Sequence, residues 1–140
     1  MITTILLLAL CASQDLESDV QALASEACEG RETGTAGEEK AGRHIVAMMR
    51  RAGLEPVVQP FQGHGTTGRN VIAVVHGQAG EAVVIGAHYD HLGMDGLKVY
   101  RGADDNASGT AVVLEMARRF AKKPARRTVI LVAFSGEEMG

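Results

Sequence analysis

Three short groups of residues carry side chains able to bind a cation or move a proton: His88 and Asp90, then Asp104, Asp105 and Asn106, then Glu137 and Glu138. His88 and Asp90 close a short apolar run, Val83-Val84-Ile85. In extended chain, residues two apart point to the same side. Asp90 can therefore reach the edge of the His88 ring turned away from a metal, fix its tautomer and make it a better ligand. The plainer alternative is a strand-end His–Asp hydrogen bond with no metal, and on this spacing alone that alternative is preferred. Asp104-Asp105-Asn106 stands just before a helical pattern. Helix capping accounts for one such residue, but two adjacent acids plus Asn exceed what a cap needs, and their repulsion calls for a cation. Glu137-Glu138 follows the apolar run at 128–134. If the chain is extended there, the two face opposite ways, one toward a metal and the other toward a substrate; the alternative is a solvated acidic loop. Nitrogen and oxygen donors without thiolates fit Zn²⁺, with Mn²⁺ or Co²⁺ as alternatives.

Those groups must be positioned by the elements around them. The stretch 83–116 reads as strand, loop and helix start, the edge where α/β proteins keep their chemistry. Upstream, Leu16, Val20, Leu23, Ala24 and Ala27 have helical spacing. Residues 30–35 form a polar loop, and Thr35 with Glu38 has capping-box spacing. The helix that follows runs to about residue 52, with Ala41, Ile45, Met48, Met49 and Ala52 on one face, and stops at Gly53 and Pro56. Strands are expected at 57–61, 70–76 and 82–87, with 62–68 a loop and the last two strands paired as a hairpin. A helix over 107–121 leads to 128–134, TVILVAF, whose unbroken apolar run suits a central strand covered on both faces. The pattern predicts an α/β fold, an α/β/α sandwich with a mixed, mostly parallel sheet. His44 falls on a helix face, His64 in a loop and His76 at a strand end, and none is expected to bind metal.

Composition removes some function classes. The chain has 140 residues, 46% of them hydrophobic and 22% charged, enough for one domain with its own core. A net charge of −3 gives no general attraction to nucleic acid or anionic lipid, and 4% aromatics with no Trp leaves no stacking platform. Six of the 14 basic residues lie between Arg118 and Arg127, where they complement a helix C-terminus. Residues 2–12 are apolar but far too few to span a membrane. They fit the core of a signal peptide ending near Ala12 or Ser13, hence export to periplasm or medium, although no Lys or Arg precedes them. A lipoprotein anchor at Cys11 would place bulky Leu10 where a small residue is expected. If Cys11 is removed, Cys28 has no partner and reads as a small packed residue.

At its chemical groups the chain resembles the M28 family of zinc metallopeptidases, the aminopeptidase and glutamate-carboxypeptidase-like group. The resemblance lies in residues 86–93 (GAHYDHLG), 102–109 (GADDNASG) and 135–140 (SGEEMG), with 29–35 (EGRETGT) similar to the loop before the family's first domain helix. It implies a zinc-exopeptidase-like fold that is incomplete at the C-terminus, with residues 1–13 a signal peptide and 14–140 the N-terminal portion of a catalytic domain. It implies two zinc ions: His88 on one, Asp105 bridging both and followed by a cis peptide bond, Glu138 on the other. Asp90 would orient His88, Glu137 would be the general base, and a peptide would be the substrate. It also implies a further Asp ligand and a further His ligand beyond Gly140, for which His91, His44, His64 and His76 are not substitutes, so residues 1–140 alone are expected to hydrolyse peptides weakly or not at all. Three competing readings are a one-zinc enzyme like glutaminyl cyclase, an M20-type peptidase, and a non-catalytic binding module on the same fold.

Overall fold

The computed structural model describes residues 15–140; the signal-peptide and lipoprotein readings of residues 1–13 fall outside the described residues. Helix α1 covers 15–23 and leads through a 3-10 turn, Glu26–Arg31, to helix α2, Ala36–Arg51. Thr35 caps α2, its hydroxyl accepting the Glu38 N–H at 3.3 Å. The reciprocal bond of a capping box is not made: Glu38 Oε2 accepts the Gly34 N–H at 2.9 Å instead. The buried stripe of α2 is Ala41, Ile45 and Met49. Burying side chains of the Ile and Met type contributes about 1.5–3 kcal/mol each.

Strands β1 (Val57–Gly63) and β2 (Thr66–Val75) form an antiparallel hairpin, turning on His64 and Gly65 with φ of 50° and 77°. Two consecutive positive φ values make the two-residue turn whose twist matches paired strands. The expected loop at 62–68 is therefore mostly strand; His64 is an untypical residue for such a turn, and this hid it. Strand β3 is Ala79–His88, followed by a small hairpin of β4 (Met94–Asp95) and β5 (Lys98–Val99). A one-turn segment, Ala103–Ala107, enters helix α3, Ser108–Lys122, and strand β6 is Arg127–Phe134. A last 3-10 turn spans Glu137–Met139.

The sheet order is β1-β2-β6-β3. β6 is central, as its apolar run predicted, but it separates β2 from β3, so those two do not form the expected hairpin. The chain leaving β2 crosses the end of β6, where Gln78 and Ala79 N–H both donate to Arg126 O at 2.9 and 3.0 Å. The sheet is mixed, with parallel pairing confined to β3–β6; the expectation of a mostly parallel sheet does not hold for the described strands, because a tight hairpin makes β1–β2 antiparallel.

One core joins Leu23 of α1, Ile45 and Met49 of α2 and Val113, Leu114 and Ala117 of α3 to Val71, Ala73, Val129, Leu131 and Ala133 of the sheet. All three helices thus pack on one sheet face. The alternate residues Val74, Val84 and Phe134 are 41%, 59% and 42% exposed, so among the described residues the second helical layer of a sandwich is not seen. Buried Asp19 of α1 ties the helices together, 3.1 Å from His44 Nε2 of α2 and paired with Arg118 of α3. His44 is a packing histidine, as expected. Arg119 and Arg127 pair with Glu115 and Glu81. No helix among the described residues is long and apolar enough to cross a membrane.

Candidate metal centre

The C-terminal ends of parallel β3 and β6 lie side by side, His88 opposite Phe134. His88 therefore emerges next to the chain that becomes Glu137 and Glu138. Its Nε2 is 3.3 Å from Asp105 Oδ1 and 3.9 Å from Glu137 Oε2. Its Nδ1 faces Asp90, 3.3 Å from the backbone O and 3.7 Å from Oδ1. Asp90 thus stands on the ring edge away from the other carboxylates, but the backbone carbonyl is the nearer partner. The Asp90 carboxylate, fully buried, accepts the N–H of Glu137 at 3.3 Å and of Glu138 at 3.2 Å, plus the Thr33 hydroxyl at 2.9 Å. It holds the glutamates as well as facing the histidine.

The two glutamates are not in extended chain. The backbone turns at Gly136 (φ 88°) into a 3-10 turn, so the expected division between opposite faces does not apply. They differ by burial instead: the Glu137 side chain is 60% exposed and that of Glu138 21%. Asp105 follows its own route to the same place, through the turn Ala103–Ala107 with a cis bond from Asp105 to Asn106. Asn106 Oδ1 accepts the Gly109 N–H at 3.0 Å at the start of α3, so Asn106 does the capping.

Two groups of donors result. Ligand atoms of His88, Glu137 and Glu138 all lie within 4.8 Å of one another, and so do those of His91, Asp105 and Glu138. Asp104 is in neither group. His91, which the sequence reading set aside as a ligand, belongs to the second, with Nδ1 2.8 Å from Glu138 Oε1. The available signal for its place here was a second imidazole three residues after His88. The chain folds back there because His91 N–H donates to Arg31 O at 3.2 Å.

Arg31 is the other residue that sequence reasoning missed. Fully buried, it donates to Tyr89 O, Leu23 O and Arg101 O at 2.7 Å each and to Gly102 O at 2.9 Å. It staples the loop after β3 to the loop before Asp105. Burial lowers its pKa, the nearby acids opposing this. Burial, and then the charge of Glu38, raise the pKa of Tyr89.

The donor set suits zinc. Two imidazoles and three carboxylates converge, and among the described residues no Lys or Arg forms an ion pair with Asp105, Glu137 or Glu138. Their repulsion is left for a cation to relieve. Beside them a pocket of about 410 Å³ is lined by Glu32, Thr33, His64, His91, Leu92 and Glu138. A larger cavity, about 550 Å³ between α2 and the β1–β2 hairpin, contains none of these donors.

Residues 70–140 match peptidase family M28. The chain is 31% identical over 134 residues to the alkaline phosphatase isozyme conversion protein of Escherichia coli (strain K12), covering 79% of this chain and 39% of that protein. It is 38% identical over 101 residues to leucine aminopeptidase 1 of Ajellomyces capsulatus (strain H88), covering 66% of this chain and 26% of the relative. A solved structure of Porphyromonas gingivalis glutaminyl cyclase superposes with a TM-score of 0.72 at 27% identity, over 91% of this chain and 48% of that one. The chain therefore spans less than half the length of each of these proteins.

Proposed function

The chain belongs to peptidase family M28, and from that premise we propose that the intact protein is a zinc-dependent aminopeptidase. The observation that carries this reading is the convergence of His88, Asp105, Glu137 and Glu138, with His91, at one sheet edge without a compensating side-chain cation. His88, Asp105 and Glu138 would hold metal, Asp105 standing 3.3 Å from His88 and grouped with Glu138. When bound, zinc supplies Lewis acidity, which makes water a nucleophile near neutral pH. Glu137 has the more exposed carboxylate of the pair. It takes the proton from the attacking water and returns it to the leaving amine nitrogen. Asp90 keeps the Glu137 and Glu138 backbone in place and turns the Nε2 edge of His88 toward Asp105.

The structural likeness to a glutaminyl cyclase supports a second reading, a one-zinc enzyme that closes an N-terminal glutaminyl residue with loss of ammonia. Donors that fall into two groups rather than one favour two ions. The test gives the intact protein an aminoacyl arylamide and a glutaminyl peptide, with zinc counted per protein. Zinc-dependent arylamine release with two ions bound supports the peptidase. Cyclisation with one ion supports the alternative, and a protein that binds no zinc refutes both. The same reading takes residues 1–13 as an export signal; a mature protein retaining them in the cytoplasm would refute that.

A further inference from the structure

We propose that His91 is a positioning residue that holds the Glu138 carboxylate for metal binding. This rests on the reading of Glu138 as a ligand. The two side chains are 10% and 21% exposed, and Nδ1 stands 2.8 Å from Oε1. With Glu138 ionised, Nδ1–H donates to Oε1, and Oε2 is left for a cation. Two donors on one tetrahedral zinc, each about 2.0–2.2 Å from it, stand about 3.3 Å apart. The observed separation is that of a hydrogen bond.

The imidazole is itself held. Its backbone N–H donates to Arg31 O at 3.2 Å. Its ring fills the space beside Gly102, where an added Cβ would meet Cδ2 at 2.5 Å and Cγ at 2.6 Å. Gly102 is in turn fixed, its carbonyl accepting from Arg31 Nη2 at 2.9 Å. Glu138 is thereby anchored at both ends, its backbone by Asp90 and its carboxylate by His91. The Glu137 carboxylate, among the described residues, accepts no hydrogen bond, its nearest partner being His88 Nε2 at 3.9 Å. Neighbouring glutamates thus differ in how firmly their carboxylates are held. A metal ligand needs a fixed carboxylate, whereas a proton carrier must reach both the water and the leaving nitrogen.

The test measures zinc affinity of the intact protein by competition with a chromophoric chelator. Removing a partner that orients a ligand weakens metal binding by about 10–100-fold, the loss expected for His91→Ala. His91→Asn, whose amide can donate from the Nδ1 position but is a poor zinc ligand, should stay within about threefold of wild type. Its zinc-free denaturation midpoint should not move. Equal losses in both variants would mean direct ligation or simple packing and would overturn the proposal, as would wild-type affinity in His91→Ala. Glu138→Gln separates this from the parent reading. If it binds zinc as wild type does, Glu138 is not a ligand and both ideas fail. If it loses zinc while His91→Ala does not, only the role of His91 fails.

Discussion

Glu38 and Glu137 are both carboxylates near the ends of β3 and β6, and the protein treats them in opposite ways. Glu38 has no solvent exposure. It accepts from the Ser135 hydroxyl at 2.7 Å, the Arg69 N–H at 3.0 Å, the Tyr89 hydroxyl at 3.1 Å, the Gly34 N–H at 2.9 Å and Arg69 Nη1 at 3.2 Å. Asp90 is satisfied in the same manner. No buried side-chain nitrogen or oxygen among the described residues lacks a partner. Glu137 and Asp105, 60% and 64% exposed, both face His88. The buried acids are neutralised by the fold and hold it; the exposed acids are left uncompensated, and an uncompensated cluster is what a cation can occupy. Charge alone does not distinguish the two sets, whereas the number of donors aimed at each carboxylate does.

The sharpest way to test this contrast is Glu137→Gln. Loss of a general base costs about 10²–10⁴-fold in rate. Arylamide turnover by the zinc-loaded protein should fall by that much with no change in denaturation midpoint; a shifted midpoint would mean that the exposed set also supports the fold. Glu38→Ala should do the reverse. It leaves the Ser135 hydroxyl and the Gly34 and Arg69 backbone N–H groups without their acceptor, and each buried donor left unsatisfied costs about 1–3 kcal/mol, a loss readable by urea denaturation without zinc. Added zinc at about 100 times its dissociation constant should stabilise the wild type by about 2.7 kcal/mol. Asp105→Asn should abolish that gain while leaving zinc-free stability unchanged or slightly raised, since it removes repulsion. The smallest effect belongs to Tyr89→Phe. The hydroxyl donates to Arg69 O at 2.7 Å as well as facing Glu38. Its loss should cost about 1 kcal/mol in urea denaturation, because Ser135 and Arg69 N–H still serve Glu38.

Much of the fold was legible because local periodicity carries it. The stripe Ala41, Ile45, Met49 is the buried face of α2, and the run 128–134 is the central strand. Pairing was less legible. Strands 70–76 and 82–87 are close in sequence, yet β6 enters between them, because β6 brings a longer apolar run than either and pairs on both edges. In the candidate site, the acid pairs Asp104-Asp105 and Glu137-Glu138 were visible as residue types that exceed what caps and loops require, while His88 and the choice of Asp105 over Asp104 came from the family resemblance. His91 was not visible, since nothing local shows that the chain folds back onto Arg31 after Asp90. Glu38 looked like half of a capping box; its five donors come from residues 4 to 97 positions away.

By itself, then, the sequence determined the helices, the central strand and which side chains have donor atoms suited to zinc. These follow from side-chain chemistry and from spacing within a few residues. Tertiary structure alone decided that all three described helices share one sheet face, that Arg31 joins two loops 58 and 70 residues away along the chain, and which acids are buried and satisfied. Those outcomes depend on contacts between distant segments, whose free energies are realised only when the whole arrangement packs.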